Sequence, residues 1–200
     1  MRRMVIGALL VMLAGRAALA QVKQDAYTWK NVKITAGGFI TGIVFSPAEA
    51  GLAYCRTDIG GAYRWDDKAR QWVCLTDWVG PSESNLGGCE SVAADPKNPE
   101  KVYLALGTYS GGAAAIARSA DRGKSWAVTR LPIAMGGNED GRGMGERLAV
   151  DPNDGRVLYF GSRNAGLWRS ADGAVTWGRV ESWPAGAGVA NNARGAPGLP

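Results

Sequence analysis

A unit of about fifty residues recurs along this chain, and it limits the fold more than any other feature. Ser119-Ala-Asp-Arg-Gly-Lys-Ser-Trp126 and Ser170-Ala-Asp-Gly-Ala-Val-Thr-Trp177 share the frame S-A-D-x-x-x-[ST]-W, and a weaker copy runs from Asp67 to Trp72. Upstream of each lies a second matching element: Ile43-Val-Phe-Ser-Pro47, Val92-Ala-Ala-Asp-Pro96 and Leu148-Ala-Val-Asp-Pro152. A β-branched and aromatic run follows each proline, as in Leu52 to Cys55, Lys101 to Leu106 and Arg156 to Phe160. Each unit therefore reads as four strands. The first ends at the x-Pro turn, the second is the apolar run, the third enters the Ser-x-Asp turn, and the fourth starts at the tryptophan. Four strands per fifty-residue unit is the pattern of a β-propeller blade. The chain is expected to be all-β, with three blades at 35–80, 85–133 and 144–183. Tyr27-Thr-Trp-Lys-Asn-Val-Lys-Ile34 reads as a further fourth-type strand with no blade before it.

The first twenty residues differ in kind. Arg2 and Arg3 precede an apolar run from Val5 to Leu13, and Ala18-Leu19-Ala20 fits a small-x-small cleavage site. This is the pattern of a secretory signal peptide, and the run is too short for a permanent membrane anchor. Residues 1–20 are therefore set aside from the fold, 21–184 form the propeller region, and 185–200 read as an irregular Gly/Ala/Pro/Asn-rich tail. Removing Arg2, Arg3 and Arg16 takes the formal charge from +5 to +2. That balance leaves no electrostatic footprint for nucleic acid, and no membrane partner is expected after cleavage. A secreted or periplasmic location follows.

The chain has no histidine. Ser-His-Asp and Cys-His catalysis and His-ligated metal sites are thereby excluded within it, and carboxylates remain as the main candidates for proton transfer. Cys55, Cys74 and Cys89 match no zinc pattern, and three cysteines leave at least one unpaired. No metal and no cofactor is expected.

The Ser-x-Asp turns have a structural logic. The aspartate accepts hydrogen bonds from nearby backbone N–H groups, the glycine supplies a left-handed position, and the tryptophan packs over the turn. The frame resembles the Asp-box of sialidase-like propellers, which assigns structural roles to Ser119, Asp121, Gly123, Trp126, Ser170, Asp172 and Trp177. The second copy departs from the frame, because Ala174 stands where the glycine is expected. Two other segments exceed the blade pattern. In Arg56-Thr-Asp-Ile-Gly-Gly-Ala-Tyr-Arg-Trp65, Asp58 lies where a strand meets a tight turn, and Gly60 and Gly61 leave room for close approach to the backbone. The loop Met135–Arg147 holds five glycines and five charged residues. Its polar side chains Asn138, Glu139, Asp140 and Arg142 are candidates for ligand recognition, as is the aromatic Trp78.

The runs YTWKNVKI (27–34), RTDIGGAYRW (56–65), LTDWVG (75–80), LALGTYS (104–110), RSADRGKSW (118–126), MGGNEDGRGMGERLAVDPND (135–154) and LYFGSRNAGLWRS (158–170) together resemble the N-terminal region of glycoside hydrolase family 74. That resemblance implies a seven-bladed N-terminal propeller, of which this chain holds about three blades, facing a second propeller across an open cleft. It implies inverting hydrolysis of β-1,4-glucan bonds in xyloglucan, with Asp58 as general base. The general acid would come from the second propeller, so the chain reads as an N-terminal fragment with little activity alone. Two alternatives stay open. One is a non-catalytic Asp-box propeller that binds carbohydrate or protein. The other is a different Asp-box hydrolase, such as a sialidase.

Overall fold

The computed structural model describes residues 27–35 and 37–183. The expected leader and the 185–200 tail lie outside the described residues. The chain divides into two units, Met1–Asn31 and Val32–Pro200. In the first, residues 27–31 carry no regular secondary structure, and Tyr27 and Trp29 are exposed.

The second unit is built from three four-stranded antiparallel sheets, the blades of a β-propeller. The first contains β1 (Ile40–Phe45), β2 (Ala53–Thr57), β3 (Ala62–Asp66) and β4 (Gln71–Cys74). The second contains β5 (Cys89–Ala94), β6 (Val102–Leu106), β7 (Ala115–Ser119) and β8 (Ala127–Arg130). The third contains β9 (Leu148–Val150), β10 (Leu158–Gly161), β11 (Leu167–Ser170) and β12 (Gly178–Arg179). Strands neighbour one another in chain order within every sheet, as short turn connections require.

Strand periodicity explains how the sheets stack. Successive side chains point to opposite faces, so a strand buried on both sides reads as an unbroken apolar run. In β6, Val102, Leu104 and Leu106 enter a core shared with Leu52, Tyr54 and Leu75 of the first sheet. Its alternate residues Tyr103 and Ala105 face Leu148, Leu158 and Phe160 of the third. Likewise Tyr54 of β2 faces the second sheet, while Ala53 and Cys55 line a separate cluster with Tyr63 and Trp72. Trp126 packs into the core between the first two sheets, and Trp177 into the one between the last two.

Two features depart from expectation. The strand expected over 27–34 is reduced to one parallel bridge, Lys33 to Gln71, with the Lys33 carbonyl accepting from the Trp72 N–H at 2.9 Å. Among the described strands β4 pairs with β3 alone, and its other backbone edge accepts the bridge. A 3₁₀ helix spans Pro81–Gly87 between the first two blades, where no periodic apolar signal announces it. The cysteines are all free. Cys55 and Cys74 flank Tyr63 on adjoining strands, which sets them two strand spacings apart, about 9–10 Å. A disulfide needs a Cα separation under about 7 Å.

Candidate active site

Strand direction sorts the loops onto two edges. On one edge lie the start of β1, the turn from β2 to β3 and the segment after β4. With them lie the 107–114 loop after β6, the 135–147 loop before β9 and the turn after β10. The x-Pro and Ser-x-Asp turns occupy the other edge.

Asp58 belongs to the first edge, immediately beyond β2, and is 7% exposed. The Phe39 N–H donates to its Oδ1 at 2.8 Å, and its own N–H donates to the Phe39 carbonyl at 3.2 Å. One carboxylate oxygen is thus tied to the backbone that enters β1, which fixes the direction of the other. Oδ2 faces Arg142, whose Nε lies 3.7 Å away. That Nε is buried and has no hydrogen-bond partner, so the pair stands at ion-pair rather than hydrogen-bond distance. The Arg142 guanidinium also sits 5.9 Å from the Phe39 ring centre.

The glycines after Asp58 do not leave open space. A Cβ on Gly60 would meet the Gly37 carbonyl oxygen at 1.8 Å, and one on Gly61, where φ is +80°, would meet Thr76 Oγ1 at 1.7 Å. The chain itself makes the close approach. The Thr57 side chain accepts from the Gly60 N–H at 2.9 Å and donates to the Gly61 carbonyl at 3.0 Å, closing the turn.

The 135–147 loop is pinned from below. Arg56, fully buried in β2, donates to Glu146 at 2.7 Å, Thr41 at 2.7 Å, and the carbonyls of Arg142 and Gly145 at 2.9 Å each. Glu146 also accepts from the Ser91 hydroxyl and the Val92 N–H, both at 2.7 Å. Ser91 in turn accepts from the N–H groups of Arg147 and Leu148. A second buried carboxylate, Glu90, holds the loop's other limb. It faces Arg147 at 2.8 Å and Arg163 at 3.0 Å, and it accepts from the Gly136 N–H. Arg163 completes the frame through the carbonyls of Gly136 and Asp140. Burial pushes the Arg147 guanidinium down, Glu90 opposes this, and the like charges of Arg163 and Arg56 add to it. Sequence reasoning missed Arg56, Glu90, Ser91, Glu146 and Arg163. Their signal was a charged or hydroxyl residue inside or beside an otherwise apolar strand.

The other candidate residues divide. Asn138 donates to the Tyr109 hydroxyl at 3.0 Å. The Glu139 carboxylate accepts from the Ser110 N–H at 2.7 Å. Burial raises the Glu139 pKa, but the Ser110 hydrogen bonds and Arg163 outweigh it and hold it below the usual value. Asp140 offers its carbonyl to Arg163 at 2.7 Å. Trp78, 37% exposed, donates its indole N–H to the Leu75 carbonyl at 3.0 Å. The structure thus joins Arg142 directly to Asp58, and sets Asn138 and Glu139 against the 108–110 turn. Among the described residues, neither Trp78 nor the Asp140 side chain bonds to Asp58. Glu146 is bonded at both carboxylate oxygens, and Glu90 is closed in by Arg147, Arg163 and the Gly136 N–H. Glu139 is tied through Oε1 to Ser110, with Oε2 4.0 Å from Arg163, and Asp58 Oδ2 faces Arg142 at 3.7 Å without a hydrogen bond.

On the opposite edge, Asp121 accepts from the Ser125 hydroxyl, the Ser125 N–H and the Ser119 hydroxyl. Asp172 repeats the pattern with Thr176 and Ser170. The side-chain hydrogen bonds of Ser125 and Thr176 lead in holding the two carboxyls down at about 2. The weak copy is organised differently: Asp66, not Asp67, accepts from the Lys68 and Ala69 N–H groups, while Asp67 pairs with Arg70. Two clefts of about 490 Å³ also lie on this edge, one lined by Glu49, Arg64 and Arg122, the other by Tyr103, Arg118 and Asp172. Neither includes Asp58.

No family model matches the chain. Individual proteins do. It is 53% identical over 166 residues to a xyloglucanase from Paenibacillus sp., covering 80% of this chain and 16% of that protein. It is 49% identical over 176 residues to a probable oligoxyloglucan-reducing end-specific xyloglucanase from Neosartorya fischeri, covering 88% of this chain and 22% of that protein. In three dimensions it matches the crystal structure of the family 74 xyloglucanase from Xanthomonas campestris with a TM-score of 0.73 at 54% identity, over 80% of this chain and 23% of the other. The family 74 enzyme of Niastella koreensis matches with a TM-score of 0.68 at 42% identity, over 74% and 22%. The chain therefore spans about a fifth of the length of the relatives it matches. Over some four-fifths of its residues the chain agrees in sequence and fold with enzymes of glycoside hydrolase family 74.

Proposed function

We propose that this chain contributes the general base of a secreted, inverting glycosidase acting on xyloglucan, and that Asp58 is that base. The observation that carries the reading is the Asp58 carboxylate. Its Oδ1 is held by the Phe39 N–H at 2.8 Å, and its Oδ2 stands at the loop edge 3.7 Å from Arg142. A base that activates water needs one oxygen held and one presented. In inverting hydrolysis the water lies between that base and a second carboxyl group about 6.5–9.5 Å away, which protonates the leaving oxygen. No residue described here is assigned that second role. The names of the relatives, xyloglucanases across several organisms, support the choice of glycan. The apolar leader read from residues 1–20 supports export, and no helix among the described residues is long and apolar enough to cross a membrane.

The test is a hybrid in which residues 27–183 replace the matching segment of the Xanthomonas campestris xyloglucanase. The hybrid is expected to release reducing ends from xyloglucan, and Asp58→Asn to lower kcat by about 10²–10⁴-fold. A hybrid with undiminished kcat after Asp58→Asn sinks the assignment. The 200-residue chain alone is expected to hydrolyse little or no xyloglucan.

A further inference from the structure

Tyr109 is 53% exposed, and a single exposed aromatic is ordinary. What sets Tyr109 apart is how firmly it is held. Asn85, in the 3₁₀ helix, accepts from the Tyr109 N–H at 3.1 Å and donates to the Tyr109 and Ala113 carbonyls at 3.0 and 2.8 Å. The Asn85 carbonyl accepts from both the N–H and the hydroxyl of Thr108. From the other side, the Asn138 N–H donates to the Thr108 carbonyl, and Glu139 accepts from the Ser110 N–H. The ring is fixed at its far end too, where Asn138 Nδ2 donates to the phenol oxygen at 3.0 Å. A solvent-exposed side chain gains little in stability from so many restraints. A binding residue gains directly, because a side chain already held in place loses less freedom on association.

The chemistry and position of the ring fit one class of ligand. Its exposed face is a flat π surface suited to the C–H face of a pyranose. Because Asn138 donates to the phenol oxygen, the phenol's own hydrogen is left to donate outward, to a sugar hydroxyl. The residue also lies beside Asp58. The Asp58 carbonyl oxygen and the Thr108 Cα fall 2.4 and 2.7 Å from the point where a Gly88 Cβ would stand. One further Cα step puts the Tyr109 Cα within about 9 Å of that carbonyl.

We propose that Tyr109 is a carbohydrate-binding residue whose ring forms a platform for a pyranose unit next to the bond attacked at Asp58. This inference rests on the reading of Asp58 as a glycosidase base, and its test separates the two. In the hybrid, Tyr109→Ala is expected to raise KM for xyloglucan about three- to tenfold, with kcat within twofold and the pH profile unmoved. Tyr109→Trp is expected to restore KM, and Tyr109→Phe, which keeps the ring but loses the phenol's hydrogen bonds, to fall between the parent and Tyr109→Ala. Asp58→Asn behaves oppositely, losing kcat. Retardation of the full chain in native gels containing xyloglucan reads binding without catalysis. There Tyr109→Ala is expected to weaken retardation and Asp58→Asn to keep it. A Tyr109→Ala variant with unchanged KM and unchanged retardation overturns the proposal. So does one whose loss falls on kcat alone.

Discussion

Ala174 and Gly123 occupy equivalent positions in two turns, and both are left-handed, with φ of +68° and +83°. An L-residue with a Cβ carries a cost of about 1–2 kcal/mol there, which glycine avoids. The two sites answer differently to exchange. A Cβ on Gly123 would stand 2.8 Å from Leu75 Cδ2 and 3.1 Å from Trp126 Cζ2. Gly123→Ala therefore combines strain with overpacking and is expected to destabilise by about 1–3 kcal/mol. Ala174 is fully buried in the core between the second and third sheets. Ala174→Gly relieves the strain but loses a buried methyl and adds unfolded-state freedom, so its net effect is expected within about 1 kcal/mol of zero. Urea midpoints of the two variants check the asymmetry. At this scale the sequence was informative where a residue acts through its own neighbours. The Ser-x-Asp frame showed its turns, and the departure at Ala174 was visible. The weak copy misled by one position, because the Asp-to-Trp interval pointed to Asp67 while the turn is closed by Asp66.

Among the elements, the strands were legible because burial on alternate faces writes itself into apolar periodicity. The 135–147 loop was not, since its order comes from residues distant in sequence. Arg56 lies in β2, yet its bonds reach Arg142, Gly145 and Glu146. Local pattern carries no trace of such a partner. The buried guanidinium makes a firm prediction. Glu146→Gln leaves Arg56 without its counter-charge, and Arg56→Leu leaves the Arg142 and Gly145 carbonyls unpaired. Removing one partner of a buried pair costs about 3–5 kcal/mol, reduced here because the Glu146 side chain is 25% exposed. Each single variant is expected to lower the thermal midpoint. The double variant should lose less than the two singles added, since the second change removes a charge the first had orphaned. Asn85 was equally hidden. It sits in a 3₁₀ helix without amphipathic period, and its function is read only from the backbone it clamps.

Over the whole second unit, the two edges separate structural turns from candidate chemistry. The acid response should report one edge without the other. Asp121 and Asp172, at about 2, lie below the value near 4 of an unfolded chain. A carboxyl lowered in the folded state contributes stability that is fully present above pH 4 and is lost as pH falls towards 2. An Asp121→Asn, Asp172→Asn double variant is expected to flatten the fall in thermal midpoint between pH 4 and pH 2. At neutral pH it should leave xyloglucan KM in the hybrid unchanged. A change in KM would mean that the edges are mechanically coupled. The stitched loop has a consequence for how such proteins grow. Repeat proteins lengthen by copying a unit and splicing it between neighbours. Here the segment joining the second and third blades is anchored on the first, so a copy spliced in among these three would carry its glutamate past the arginine waiting for it. Duplication is expected to be tolerated only where no connection reaches back across a blade, which these three blades do not offer.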